Sequence, residues 1–183
     1  AKSRLTVVLI LISFLVISVC SITAIFALTQ QNTKTRVDIQ YIADIVPLDA
    51  LTFTLSNDGT SYSVSDCDSS ATGKVVIPET YKELPVVGVG KDAFSGCSKL
   101  TDNLTIPNGV TSIGDYAFQS CSSFDGTLII PESIEFIPQR AFYGCSGIDN
   151  LILSDGVKSL GNYSFANCTS LKSVINKSVT PPS

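Results

Sequence analysis

Cysteines are the residues of this 183-residue chain best suited to chemistry, and four of its six recur in one phrase. "KDAFSGCSKL", "GDYAFQSCSSF", "QRAFYGCSGI" and "NYSFANCTSL" carry Cys97, Cys121, Cys145 and Cys168, spaced 24, 24 and 23 residues apart. A nucleophilic thiolate needs an activating neighbour, and a thiolate metal site needs several ligands in one place. The chain contains no His, which removes Ser-His-Asp and Cys-His catalysis and zinc sites that use imidazole. No C-x-x-C spacing occurs either. One active site does not need four copies of its nucleophile, whereas a repeating unit needs four copies of its core. Cys97, Cys121, Cys145 and Cys168 therefore read as a structural ladder of small buried side chains. A disulfide through Cys67, outside the ladder, is the alternative that an oxidising compartment would allow. Asp66 and Asp68 are placed like the start of a calcium loop, but the later Gly and the distal Glu are missing. A solvated turn is the better reading, and no catalytic residue, metal or cofactor is expected.

Stepwise alignment on the cysteines shows what must position them. Each copy opens on an apolar triplet: Val75–Ile77, Leu104–Ile106, Leu128–Ile130 and Leu151–Leu153. Alternation sends the outer two residues of each triplet inward and the middle one outward. Pro follows in three copies and ends the strand, because it cannot donate to a ladder. A second apolar pair comes next: Val86/Val89, Val110/Ile113, Ile134/Ile137 and Val157/Leu160. Ala-Phe (Ser-Phe in the last copy) and Cys then fall on one side of an expected helical turn. Leu100, Phe124, Ile148 and Leu171, three residues after each Cys, close the coil. A single coil buries too little to offset the entropy of ordering it, so the copies must stack and share their burial. Two departures stand out: Pro138 replaces the usual Gly, and Ser154 replaces the usual Pro.

The ends read differently. Residues 5–28 are uncharged and mostly apolar behind Lys2 and Arg4, long enough for a membrane anchor and equally divisible into a signal peptide with a small-residue cleavage region. Bulky Val19 ahead of Cys20 argues against a lipoprotein signal. Either way the positive N-terminus places the rest of the chain outside the cytoplasm. The expected organisation is a signal peptide or transmembrane anchor at 1–28, a linker at 29–47, a β-hairpin cap at 48–71, and about four repeats over 72–183. From Asp38 onward 16 acids face 8 Lys or Arg, a balance that repels a phosphate backbone and excludes nucleic acid as a partner. Sequons at Asn103, Asn162, Asn167 and Asn176 follow from turns rich in Asn, Ser and Thr.

The phrase "LTIPNGVTSIGDYAFQSC" resembles the BspA-like class of leucine-rich repeats, whose unit reads L-x-I-P-x-x-V-x-x-I-G-x-x-A-F-x-x-C, and the likeness covers about residues 72–176. That resemblance implies a right-handed, curved solenoid of parallel strands on surface or secreted proteins that bind host or matrix proteins. It carries no catalytic residues. "TPP" near the end often opens a further, degenerate repeat in such arrays.

The expected partner is therefore a protein, with membrane contact only through an uncleaved N-terminal segment. The outward column Val76, Thr105, Ile129 and Ile152 is the candidate binding face, flanked by Lys74, Asn103, Thr127 and Asn150. Tyr116, Phe136, Tyr143 and Tyr163 fall outside the inward positions and are secondary candidates. A structural spacer within a longer exported protein is the competing function. Ser at Cys121 is expected to cost roughly 1–3 kcal/mol if its hydroxyl finds no partner, and Ala less.

Overall fold

The structure is a computed structural model that describes residues 45–177. The expected anchor or signal segment and most of the linker lie outside the described residues. In chain order, a short 3-10 turn Leu48–Ala50 leads into β1 (Leu51–Leu55) and β2 (Tyr62–Cys67), followed by β3 (Gly73–Val76), β4 (Thr80–Tyr81) and β5 (Leu84–Val89). The repeats supply β6 (Leu100–Thr105), β7 (Ser112–Ile113), β8 (Gly126–Ile130), β9 (Phe136–Ile137), β10 (Ile148–Leu153), β11 (Ser159–Leu160) and β12 (Ser173–Asn176). Among the described residues no helix is long and apolar enough to cross a membrane.

The opening triplets build the main sheet, of order β12-β10-β8-β6-β3, with every neighbouring pair parallel. This is a parallel-strand leucine-rich-repeat solenoid. The second apolar pairs form a further row, in which β5 pairs parallel with β7 and β9 with β11. The inward residues of the triplets are buried: Val75 1%, Ile77 2%, Leu104 4%, Ile106 6%, Leu128 1%, Ile130 0%, Leu151 3% and Leu153 3%.

The hairpin region behaves in a way its sequence does not announce. β1 and β2 pair antiparallel, but β2 also pairs parallel with β5, placing Val64 opposite Val89. Gly90 N–H donates to Val64 O at 2.7 Å, as Gly114 N–H donates to Val89 O at 2.8 Å one coil later. The return strand thus occupies the second-row place of a preceding coil.

The segment expected as a helical turn is a run of tight turns instead. Two left-handed residues bracket it in each coil. The first is Asp92, Tyr116, Arg140 or Tyr163, with φ of 59°, 60°, 52° and 60°, and the second is Gly96, Ser120, Gly144 or Asn167. Successive N–H groups alternate in destination. Ala117, Gln119 and Cys121 donate within their own coil, to Gly114, Tyr116 and Phe118. Tyr116, Phe118 and Ser120 donate to Gln139, Ala141 and Tyr143 of the next coil. A continuous helix would consume all these donors internally; the alternation spends half of them on stacking. Phe94, Phe118, Phe142 and Phe165 stack face to face as a result, with centroids 5.0, 5.1 and 5.2 Å apart.

Both departures from the repeat have a structural consequence. Ser154 N–H donates to Ile130 O at 3.2 Å, a bond that Pro could not make. Pro138 conversely lacks the N–H with which Gly114 and Gly161 bond the preceding coil. Gly114 itself is required by close approach, since a Cβ there would collide with the backbone of Lys91.

Candidate functional site

Pleating alone sends the middle residue of each triplet to the outer face of the main sheet. Register then aligns them. Val76 lies opposite Thr105, Thr105 opposite Ile129, Ile129 opposite Ile152, and Ile152 opposite Ile175. Val76 is 44% exposed and Ile129 and Ile175 are each 50% exposed, while Thr105 is exposed and Ile152 half-buried. Ile175 is the member that sequence reasoning missed. β12, like β10, lacks the Pro that follows the first three triplets, and Asn176 stands where an inward apolar residue would mark a triplet.

A polar row runs beside the apolar one. Thr127 N–H donates to Asn103 Oδ1 at 2.9 Å, Asn150 Nδ2 to Thr127 Oγ1 at 3.4 Å, and Ser173 Oγ to Asn150 Oδ1 at 2.7 Å. Neighbouring coils are therefore linked by side chains on their exposed face. Lys74 does not join the row opposite Asn103; it pairs in register with Thr101. The register shifts between Lys74 and Val76, where β6 carries the left-handed Asp102 at φ 64°. A cleft of about 740 Å³ opens on this face, lined by Asn103, Thr105, Asn108, Thr127, Ile129 and Glu132 among others.

The secondary aromatics divide. Tyr116, Tyr143 and Tyr163 surround one guanidinium, with the Arg140 Cζ 5.9, 5.3 and 5.5 Å from their ring centroids. Gln139 Nε2 donates to the Tyr116 hydroxyl at 3.0 Å, and Asn167 Nδ2 to that of Tyr143 at 2.7 Å. Phe136 lies apart on β9, 50% exposed. Sequence reasoning missed Arg140. The available signal was vertical: Tyr116, Arg140 and Tyr163 hold the same place in consecutive copies, just before Ala-Phe or Ser-Phe.

Cys97, Cys121 and Cys145 are buried and Cys168 half-buried, and with Cys67 all are free thiols. They also donate hydrogen bonds. Cys121 Sγ lies 3.0 Å from Phe94 O, Cys145 Sγ 3.1 Å from Phe118 O, and Cys168 Sγ 3.3 Å from Phe142 O. Each carbonyl belongs to the preceding coil's stacked Phe, so the ladder is not purely apolar. A Ser at Cys121 has an acceptor waiting in Phe94 O, so the condition for the larger cost, a hydroxyl without a partner, is not met. Burial pushes the Cys121 and Cys145 thiols well above their ordinary pKa, and contact with the Cys97 thiol raises that of Cys67. Cys121 and Cys145 are therefore neutral donors and not nucleophiles. Asp68 accepts Ser70 N–H at 2.8 Å and Ser70 Oγ–H at 2.7 Å, which closes the loop after β2.

A family model of the BspA type leucine-rich repeat region matches residues 62–180 in six copies, beginning at β2, ahead of the expected repeat start. No curated protein matches the chain. Among solved structures, a leucine-rich repeat protein of T. pallidum is 26% identical with a TM-score of 0.57, over 70% of this chain and 69% of that one. One from Bacteroides ovatus is 28% identical with a TM-score of 0.59, over 70% of this chain and 40% of its own length. One from Bacteroides capillosus is 26% identical with a TM-score of 0.58, over 72% of this chain and 97% of that chain.

Proposed function

Because the chain belongs to the BspA type leucine-rich repeat family, a non-catalytic scaffold, we propose that it is a protein-binding, adhesive module of an exported or cell-surface protein. Its binding face is the outer face of the main sheet. The observation that supports this reading is the in-register column Val76, Thr105, Ile129, Ile152 and Ile175. Exposed β-branched residues suit any sheet, but Ile129, Ile152 and Ile175 align on three neighbouring strands as an apolar stripe, extended through Thr105 to Val76, and such stripes mark interaction surfaces. The β1–β2 hairpin acts as the N-terminal cap, covering the start of the stack. The hydrophobic run at 5–28 directs export, as a cleaved signal or a retained anchor.

The test is the double change Ile129→Asp with Ile152→Asp, assayed for binding to host cells and matrix proteins. Binding is expected to be lost while the circular dichroism spectrum and melting temperature stay close to the parent. Survival of binding in the folded variant would move the site to the Tyr116–Arg140–Tyr163 cluster. Binding by neither protein would favour the spacer.

A further inference from the structure

The reading of the main sheet as the binding face carries further, because carboxylates flank its outward column on both sides, on one of them beyond the Asn103–Thr127–Asn150–Ser173 row. On one side stand the exposed Asp102 and Asp125 and the half-buried Asp149, the third residue of β6, the residue ahead of β8 and the second residue of β10. On the other stand the exposed Glu79, Glu132 and Asp155, each two residues beyond the last inward side chain of its triplet. Glu132 lines the cleft beside Ile129, and no Lys or Arg lines it. Among the described residues, only Asp149 of these six forms an ion pair, with Lys172 at 2.8 Å. The exposed Lys172 and Lys177 stand at the β12 end of the two margins, so the excess of carboxylates is carried over β3, β6, β8 and β10, and there the surface complements a ligand with an apolar stripe between two rows of cations.

Spacing selects the ligand's conformation. The column advances by one strand separation per residue, about 4.8 Å, while side chains on one face of an extended peptide recur only every 6.6 Å or so. Along a helix face the neighbours i, i+3 and i+4 lie about 5–6 Å apart, a closer match. Five strands span about 19 Å, the length of roughly 13 helical residues. We propose that the partner segment is a cationic amphipathic helix laid along Val76, Thr105, Ile129, Ile152 and Ile175, with Lys or Arg on both borders of its apolar stripe. A second copy of this chain and an anionic bilayer are disfavoured, because each sets negative charge against the acidic margins.

The experiment uses the full chain in zwitterionic nanodiscs, with empty discs subtracted, and three labelled synthetic helices read by fluorescence anisotropy. One carries a Leu stripe bordered by Lys, one replaces Lys by Glu, and one keeps Lys but replaces Leu by Ser. The Lys/Leu helix should bind, with both relatives at least roughly tenfold weaker. Asp125→Asn, Glu132→Gln and Asp155→Asn together should weaken it about tenfold, as three exposed charge pairs would. Asp92→Asn, Asp115→Asn and Glu135→Gln, away from the column, should change it little. Equal loss in the two charge-altered proteins, or strong binding of the Lys/Ser helix, overturns the proposal as unspecific attraction. Equal binding of Lys and Glu helices that Ile129→Ser with Ile152→Ser abolishes overturns the charge match and leaves the binding face standing. Binding insensitive to that serine pair overturns both.

Discussion

Replacing Cys121 separates two roles that a buried thiol can play. Its side chain is fully buried, so Ala removes an atom larger than a methylene from a packed site. Transfer and cavity terms together put that loss at about 1–2 kcal/mol. Phe94 O is not orphaned, because Cys97 N–H still donates to it at 3.1 Å. Ser loses similar apolar contact but keeps a donor, and the shorter C–O bond sets the hydroxyl only slightly back from an acceptor now 3.0 Å away. Ser should therefore lie within about 1 kcal/mol of Ala. An unpaired hydroxyl in the same place would add roughly 1–3 kcal/mol and push Ser well below Ala. Urea unfolding of parent, Cys121→Ala and Cys121→Ser, compared at equal slope, measures the difference. A serine variant less stable than the alanine variant by more than about 2 kcal/mol would refute the hydrogen bond and return the ladder to simple apolar filler.

Other consequences are as direct. Phe118→Leu removes two stacked ring contacts, at 5.0 and 5.1 Å, and should destabilise by about 1–3 kcal/mol in thermal or urea unfolding. Thiols whose folded pKa is raised by burial stabilise the fold fully below the unfolded value near 9.0. Stability should therefore hold below that pH and fall as pH rises above it, and Cys121→Ala should flatten the decline. Iodoacetamide on the native chain should reach half-buried Cys168 before Cys121 or Cys145, read by mass spectrometry. Arg140→Lys should cost about 1–2 kcal/mol although charge is kept, since an ammonium cannot stack as a guanidinium does; an unchanged melting temperature would show the tyrosine contacts to be incidental.

Much of the core could be read before any coordinates, because inward positions must be apolar in every copy. Phe94, Phe118 and Phe142, the triplet ends and Leu100, Phe124 and Ile148 are buried as their repetition implies, while Leu171 in the last copy is half-buried. What escaped was whatever depends on a neighbour's backbone. Phe94 O has no side-chain signature, so the thiol's acceptor could not be named. β2 joins the second row through its backbone pairing with β5, while its sequence shows only alternation. The cluster at Arg140 needed residues to be compared down the stack, not along the chain. Lys74 was misaligned because two extra residues in β6 shift the register, and a shift leaves no mark on composition.

The left-handed row before Ala-Phe has an evolutionary consequence. Asp92, Tyr116, Arg140 and Tyr163 share one strained conformation, which non-glycine residues adopt at a cost of roughly 1–2 kcal/mol each. Their backbone bonds hold it, Tyr116 N–H to Gln139 O and Arg140 N–H to Asn162 O, both at 3.0 Å. The conformation is imposed by neighbouring coils, so the side chain is not what specifies it. An acid, an aromatic and a cation already occupy the position in one array. Selection can therefore rewrite this column for new surfaces without renegotiating the fold, so long as it avoids proline and the β-branched residues that a left-handed backbone excludes.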